Sequence, residues 1–170
     1  AASDPVTGGV LEVSGYSDTV GITGTTWQWS PITTGYDLVG SDGGVFVFNP
    51  PGATGGFFGS LPGLGVHLND IVGIVASPDG GGYFLVGRNG GVFTFGDAPF
   101  LGSLPTKKIS RDDVTGIAAT PDGQGYYVVA ADGTVYTFGD AVTHGSLSTQ
   151  HQTADDIVSI VPTPDGGGYW

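Results

Sequence analysis

Seven aspartates recur at fixed places in this chain, and they are the first residues to test for chemistry. Asp79, Asp122 and Asp165 lie in Pro-Asp-Gly triplets, Asp42 and Asp132 in a second kind of turn, and Asp97 and Asp140 in a third. Calcium would need six to eight oxygens converging on one point. These carboxylates are instead spaced singly and lack EF-hand spacing. Asp also favours turns, because its carboxylate accepts hydrogen bonds from its own backbone. The seven are therefore read as turn formers, which leaves the adjacent pairs Asp112–Asp113 and Asp155–Asp156 as the remaining cation candidates. Glycoside hydrolysis would need two carboxylates roughly 5–10 Å apart, one with a raised pKa. Glu12 is the only glutamate, and no aspartate departs from its turn role.

The other reactive side chains are sparse. His67, His144 and His151 stand apart, without HExxH spacing, and no Gly-x-Ser-x-Gly elbow is present. The chain has no cysteine, which excludes disulfides, thiolate metal sites and cysteine nucleophiles. Its glycine clusters join strands and do not open helices, so no phosphate-cradling loop is expected. The reading is of a non-enzymatic chain with no catalytic residues, no metal and no cofactor.

Two residues stand out as ligand-binding candidates. Trp27 and Trp29 alternate within a Thr-, Ser- and Pro-flanked insertion. Two indoles on one side of a loop can stack on a sugar ring, or cover one end of a repeat array. The Thr-rich loop also suits O-linked sugar, and the chain has no Asn-x-Ser/Thr sequon.

What positions these residues is a repeat. Ile74–Tyr83 (IVASPDGGGY) recurs as Ile117–Tyr126 (IAATPDGQGY) and Ile160–Tyr169 (IVPTPDGGGY), 43 residues apart each time. A fixed period of that length, filled with short strands, marks an array whose units cannot bury their apolar faces alone. In the second copy Ile71–Ser77, Tyr83–Gly87, Val92–Phe95 and Phe100–Ser103 read as four strands, separated by Pro-Asp-Gly and Asn-Gly turns. The fold expected is all-β: a β-propeller-like array of four-stranded blades, with about three full repeats and the start of a fourth. The units run over 18–61, 70–104, 113–147 and an incomplete 156–170, preceded by a closing segment at 1–17. The first copy is read as opening on Val20–Thr23, with extra residues within 25–34 and 49–56. Tyr36, Tyr83, Tyr126 and Tyr169, with Phe46, Phe93 and Tyr136, recur as packing residues between blades.

Composition agrees with this picture. Thirty-three glycines and 11 prolines among 170 residues leave little scope for long helices, while 39% apolar residues are too many for a disordered glycine-rich chain. Sixteen acidic residues against four basic ones give a net charge of −12. That charge repels phosphate backbones and anionic lipid, so nucleic acid is excluded as a partner. No apolar run approaches the roughly 18–20 residues that a membrane helix needs, so no membrane insertion is expected.

The fourth unit leaves its second strand at Tyr169–Trp170 without partners. Three completions stand open: a continuing chain, closure by the N-terminal strand through Val10, Leu11 and Val13, or supply of that edge by another copy. The last would give a homo-oligomer or filament.

Gly82–Val86, Gly90–Ala98 and Phe100–Ser103 resemble the "GYWLVASDGGVFAFGDAxFYGS" repeats of secreted, mostly actinobacterial proteins, over roughly residues 18–170. Asp37 and Asn49–Pro50–Pro51 depart from that pattern. The resemblance implies an exported propeller-like array, often appended to cell-wall enzymes or surface proteins, with no catalytic activity established for the repeat itself. The expected function is an extracellular scaffold or adhesion module at a bacterial cell surface, with cell-wall polymer, another protein or itself as partner. A self-assembling filament subunit and a carbohydrate-binding, lectin-like propeller are the alternatives.

Overall fold

A computed structural model describes residues 6–13, 34–50 and 56–170, with backbone alone for 6–13 and 34. The chain is all-β. Three antiparallel sheets of three strands follow one another: β1 (Val6–Val13), β2 (Thr34–Gly40) and β3 (Val45–Phe48); β4 (Ile71–Ala76), β5 (Gly82–Gly87) and β6 (Val92–Gly96); β7 (Val114–Ala119), β8 (Gly125–Ala130) and β9 (Val135–Gly139). Among the described residues there is no α-helix, only the short 3₁₀ turns Pro62–Leu64, Pro105–Lys107 and Ser148–Gln150. Among the described residues no helix is long and apolar enough to cross a membrane.

Each sheet is a meander whose turns the sequence dictates. The Asn89 side chain accepts the Gly91 N–H at 2.7 Å, as Asp42 and Asp132 accept from Gly44 and Thr134 at 2.8 and 2.9 Å. Gly90 closes this turn with φ 75°, and a Cβ there would lie 2.4 Å from Leu104 Cδ1. Gly43 and Gly133 meet Leu61 and Leu147 in the same way, so glycine is required twice over, by backbone angle and by space. The middle strands β5 and β8 are buried along their whole length, because each is covered on both faces.

The sheets stack in series. Val39, Val45 and Leu61 of the first pack on Ile71, Ile74, Tyr83, Leu85 and Phe95 of the second. Phe84, Val86, Val92, Ala98 and Leu104 of the second pack on Val114, Ile117, Tyr126, Val128 and Phe138 of the third. Backbone bonds tie each opening strand to the preceding hairpin: Ile71 N–H to Ser41 O, Val114 N–H to Arg88 O and Ile157 N–H to Ala131 O, at 3.0–3.1 Å.

Two expectations are corrected. The unit has three strands, not four: Phe100–Ser103 is irregular, because Gly102 takes φ 118° and the Pro105 turn follows at once. The first sheet opens on β1, which pairs with β2; Val20–Thr23, read as an opening strand, lies outside the described residues. β1 meets β2 with the irregularity at Val6/Gly8 that recurs at Ile71/Gly73 and Val114/Gly116, so this part of the expected closing segment 1–17 is the first strand of the first sheet.

Candidate functional site

The repeated aspartates hold their own turns. Asp79 Oδ1 accepts the Ser77 hydroxyl at 2.6 Å and the Gly81 N–H at 3.1 Å; Asp122 accepts Thr120 at 2.7 Å and the Gln124 N–H at 3.1 Å. The Ser77 and Thr120 hydroxyls also accept the Gly82 and Gly125 N–H groups at 2.9 Å, which stitches turn to strand. These bonds hold the carboxyls of Asp79 and Asp122 below the ordinary carboxylate value, the hydroxyl contributing most. Thr163, then the Gly167 N–H at 3.0 Å, does the same for Asp165. Asp140 moves the other way: partial desolvation, then the charge of Asp122, push its carboxyl up.

Asp122, Asp140 and Asp165 border one open depression of about 220 Å³, with Pro121, Tyr127 and Val142. The carboxylates of Asp122 and Asp165 are committed to turn hydrogen bonds. Among the described residues no group of three acidic or histidine side chains is placed to hold a metal ion. Asp113 of one acidic pair is bound by Arg111, whose guanidinium makes two bonds of 2.7 Å to it and a third of 2.8 Å to Asp132. Those two carboxylates raise the Arg111 pKa further. Of the histidines, His144 packs edge-on against Tyr169, 5.7 Å between ring centres, and His151 ends a 3₁₀ turn with φ 57°.

The most specific geometry lies at the seams between repeats. Tyr126 is buried and its hydroxyl donates to Gly102 O at 2.5 Å, while the Leu101 N–H donates to the Tyr126 hydroxyl oxygen at 3.2 Å. Tyr83 makes the same pair with Gly59 O and the Phe58 N–H, and Tyr169 with Gly145 O and the His144 N–H. Each acceptor belongs to a glycine at φ 102–133°, where the irregular segment reverses and presents its carbonyl. Burial raises the Tyr126 pKa, which keeps the donor protonated. The sequence marks these tyrosines as packing residues; it gives no sign of the hydroxyl's partner, which lies 24 residues back along the chain.

The residues singled out for binding and assembly are dispersed. Trp27 and Trp29 lie outside the described residues. Val10, Leu11 and Val13 lie on β1, an edge strand paired on one side with Asp37, Tyr36 and Thr34. Tyr169 is latched to the third repeat and forms a single bridge with Pro162; Trp170, 72% exposed, exchanges backbone bonds with Val161 at 2.8 and 3.0 Å. These last residues border a groove of about 320 Å³, with Val129, Val135, Leu147, Ile157 and Ile160. Tyr36 and Phe46, read as packing residues, are exposed, because among the described residues no earlier sheet covers them. Asp37 is fully buried at the place of Phe84 and Tyr127.

No family model matches the chain, and no curated protein matches it.

Proposed function

We propose that this chain is a non-enzymatic repeat scaffold of β-propeller type, exported and displayed at a bacterial surface, where its loops contact wall polymer or another protein. The observation that supports this reading best is the seam. The repeated tyrosines Tyr83, Tyr126 and Tyr169 are spent on holding one unit to the next, and the turn carboxylates Asp79, Asp122 and Asp165 on holding their own turns within a unit. Repeats joined in this way form a rigid frame, and insertions between their strands are free to vary as contact surfaces. Such a frame binds by shape and displays no reaction chemistry of its own.

Co-sedimentation with purified cell-wall polymer tests the reading. Retention by the polymer, lost when residues 25–33 are replaced by a short glycine turn while the β-sheet circular dichroism persists, is the expected result. No retention by wall polymer from any source overturns the adhesion reading. Retention that survives the loop replacement places binding elsewhere on the frame.

A further inference from the structure

The stacking face of each sheet is built from the same four positions. On the third sheet these are Tyr126, Val128, Tyr136 and Phe138, and on the second Tyr83, Leu85, Phe93 and Phe95; strand register places Tyr36, Leu38, Phe46 and Phe48 there on the first. On the second and third sheets the face is covered by the preceding unit. On the first no described residue covers it: Tyr36, Phe46 and Phe48 are 48%, 55% and 47% exposed, and the Tyr36 and Phe48 rings stack at 5.0 Å. Contiguous exposed aromatic surface of this kind marks an interaction site.

The two interior seams specify what covers such a face. It is the opposite side of another sheet of this kind, with its hairpin valines, its leucine over the turn glycine, and a glycine carbonyl to receive the tyrosine hydroxyl. The third sheet presents that side through Val129, Val135 and Leu147, and residues 157–170 cover it only in part. Leu61 and Leu104 are 1% and 0% exposed at their seams, whereas Leu147 is only half-buried beside the groove.

We infer that Tyr36, Leu38, Phe46 and Phe48 are a docking face for the third repeat of a second copy of this chain. In the docked pair Tyr36 takes the place at Gly145 O that Tyr169 holds in the single chain, and the first sheet fills the groove. The contact is head-to-tail, so it propagates to rings or filaments. Residues 157–170 compete for the same seat, which makes association dependent on concentration. None of the four docking residues is charged, while the whole chain carries −12, so salt strengthens the association by screening repulsion. The inference stands apart from the display function and from the wall polymer.

Sedimentation velocity of the full chain, over a range of concentration and sodium chloride, tests it. The expected result is a mass that grows with both, and growth at lower concentration in Tyr169→Ala, which frees the Gly145 seat. Phe46→Ser/Phe48→Ser removes the association with unchanged circular dichroism. Tyr36→Phe keeps the ring and so guards against a folding defect; loss of one hydrogen bond weakens association by about tenfold. Wild type and Tyr169→Ala both monomeric throughout would overturn the inference and mean that the chain covers the face itself. Association that survives Phe46→Ser/Phe48→Ser would overturn it equally.

Discussion

The Tyr126 hydroxyl reaches back to the carbonyl of Gly102, 2.5 Å away and 24 residues earlier, and thereby closes the seam between the second and third repeats. Neither residue is polar in the ordinary accounting of a core. One is an aromatic whose ring fills the seam, and the other is a glycine whose left-handed backbone turns a carbonyl inward. The Phe138 ring lies 5.3 Å from Tyr126 on one side and Phe84 5.2 Å on the other, so packing fixes the ring before the hydroxyl bonds.

Tyr126→Phe keeps that packing and removes the bond. It leaves the Gly102 carbonyl and the Leu101 N–H short of a partner, at an expected cost of about 1–3 kcal/mol. A urea titration with unchanged m-value and a lower midpoint is the expected outcome.

Gly90→Ala and Gly65→Ala separate backbone strain from crowding. Both glycines have positive φ, 75° and 73°, but a Cβ at Gly90 would meet Leu104 at 2.4 Å while one at Gly65 meets nothing within 4 Å. Gly65→Ala should cost about 1–2 kcal/mol, the left-handed penalty alone. Gly90→Ala should cost clearly more by the same urea assay, because the Leu104 side chain must also move.

Leu68→Arg tests a charge that one repeat satisfies and another lacks. Arg111 binds Asp113 two residues on, and Leu68 stands at the corresponding distance before Asp70, whose Oδ1 is buried without a hydrogen-bond partner among the described residues. The substitution should raise the unfolding free energy by roughly 0.5–1 kcal/mol, seen as a higher urea midpoint, an effect that shrinks in high salt. An unchanged midpoint would mean that the Arg111 geometry does not transfer.

The pH dependence has two opposing parts. Asp79 and Asp165 are held below their unfolded value by Ser77 and Thr163, so their contribution is present above the ordinary carboxylate pKa and lost as pH falls through the folded value. Asp140 is raised by desolvation and by Asp122, so its contribution is full at low pH and lost as pH rises through its folded value. Thermal midpoints should therefore fall on acidification below the ordinary carboxylate range. Asp79→Asn should flatten that fall, and Asp140→Asn should raise the midpoint at neutral pH relative to acid pH.

Local rules carried much of the fold into the sequence. The Pro-Asp-Gly and Asn-Gly turns and the β-branched runs between them place β4 to β9 within a residue or two, because each hairpin is decided by its own few residues. β1 was harder to place. Val6–Thr7–Gly8 repeats Val114–Thr115–Gly116, yet residues 14–33 separate β1 from β2, where Ser77–Gly81 and Thr120–Gln124 suffice in the other sheets. A strand expected at Phe100–Ser103 failed because Gly102 and Pro105 outweigh the apolar residues around them. The seams were illegible for a different reason: the partner of a tyrosine hydroxyl one repeat away is set by how sheets stack, and no local pattern encodes that.

Amide hydrogen exchange, read residue by residue in the full chain and in Tyr126→Phe, tests the seam most directly. The account predicts that the Phe58 and Leu101 amides, which lie in irregular segments and donate to tyrosine oxygens, are protected in the wild type. In Tyr126→Phe, Leu101 should lose protection while Phe58 keeps it. Fast exchange of Leu101 in the wild type, or protection indifferent to the substitution, would contradict the claim that tyrosine latches join these repeats.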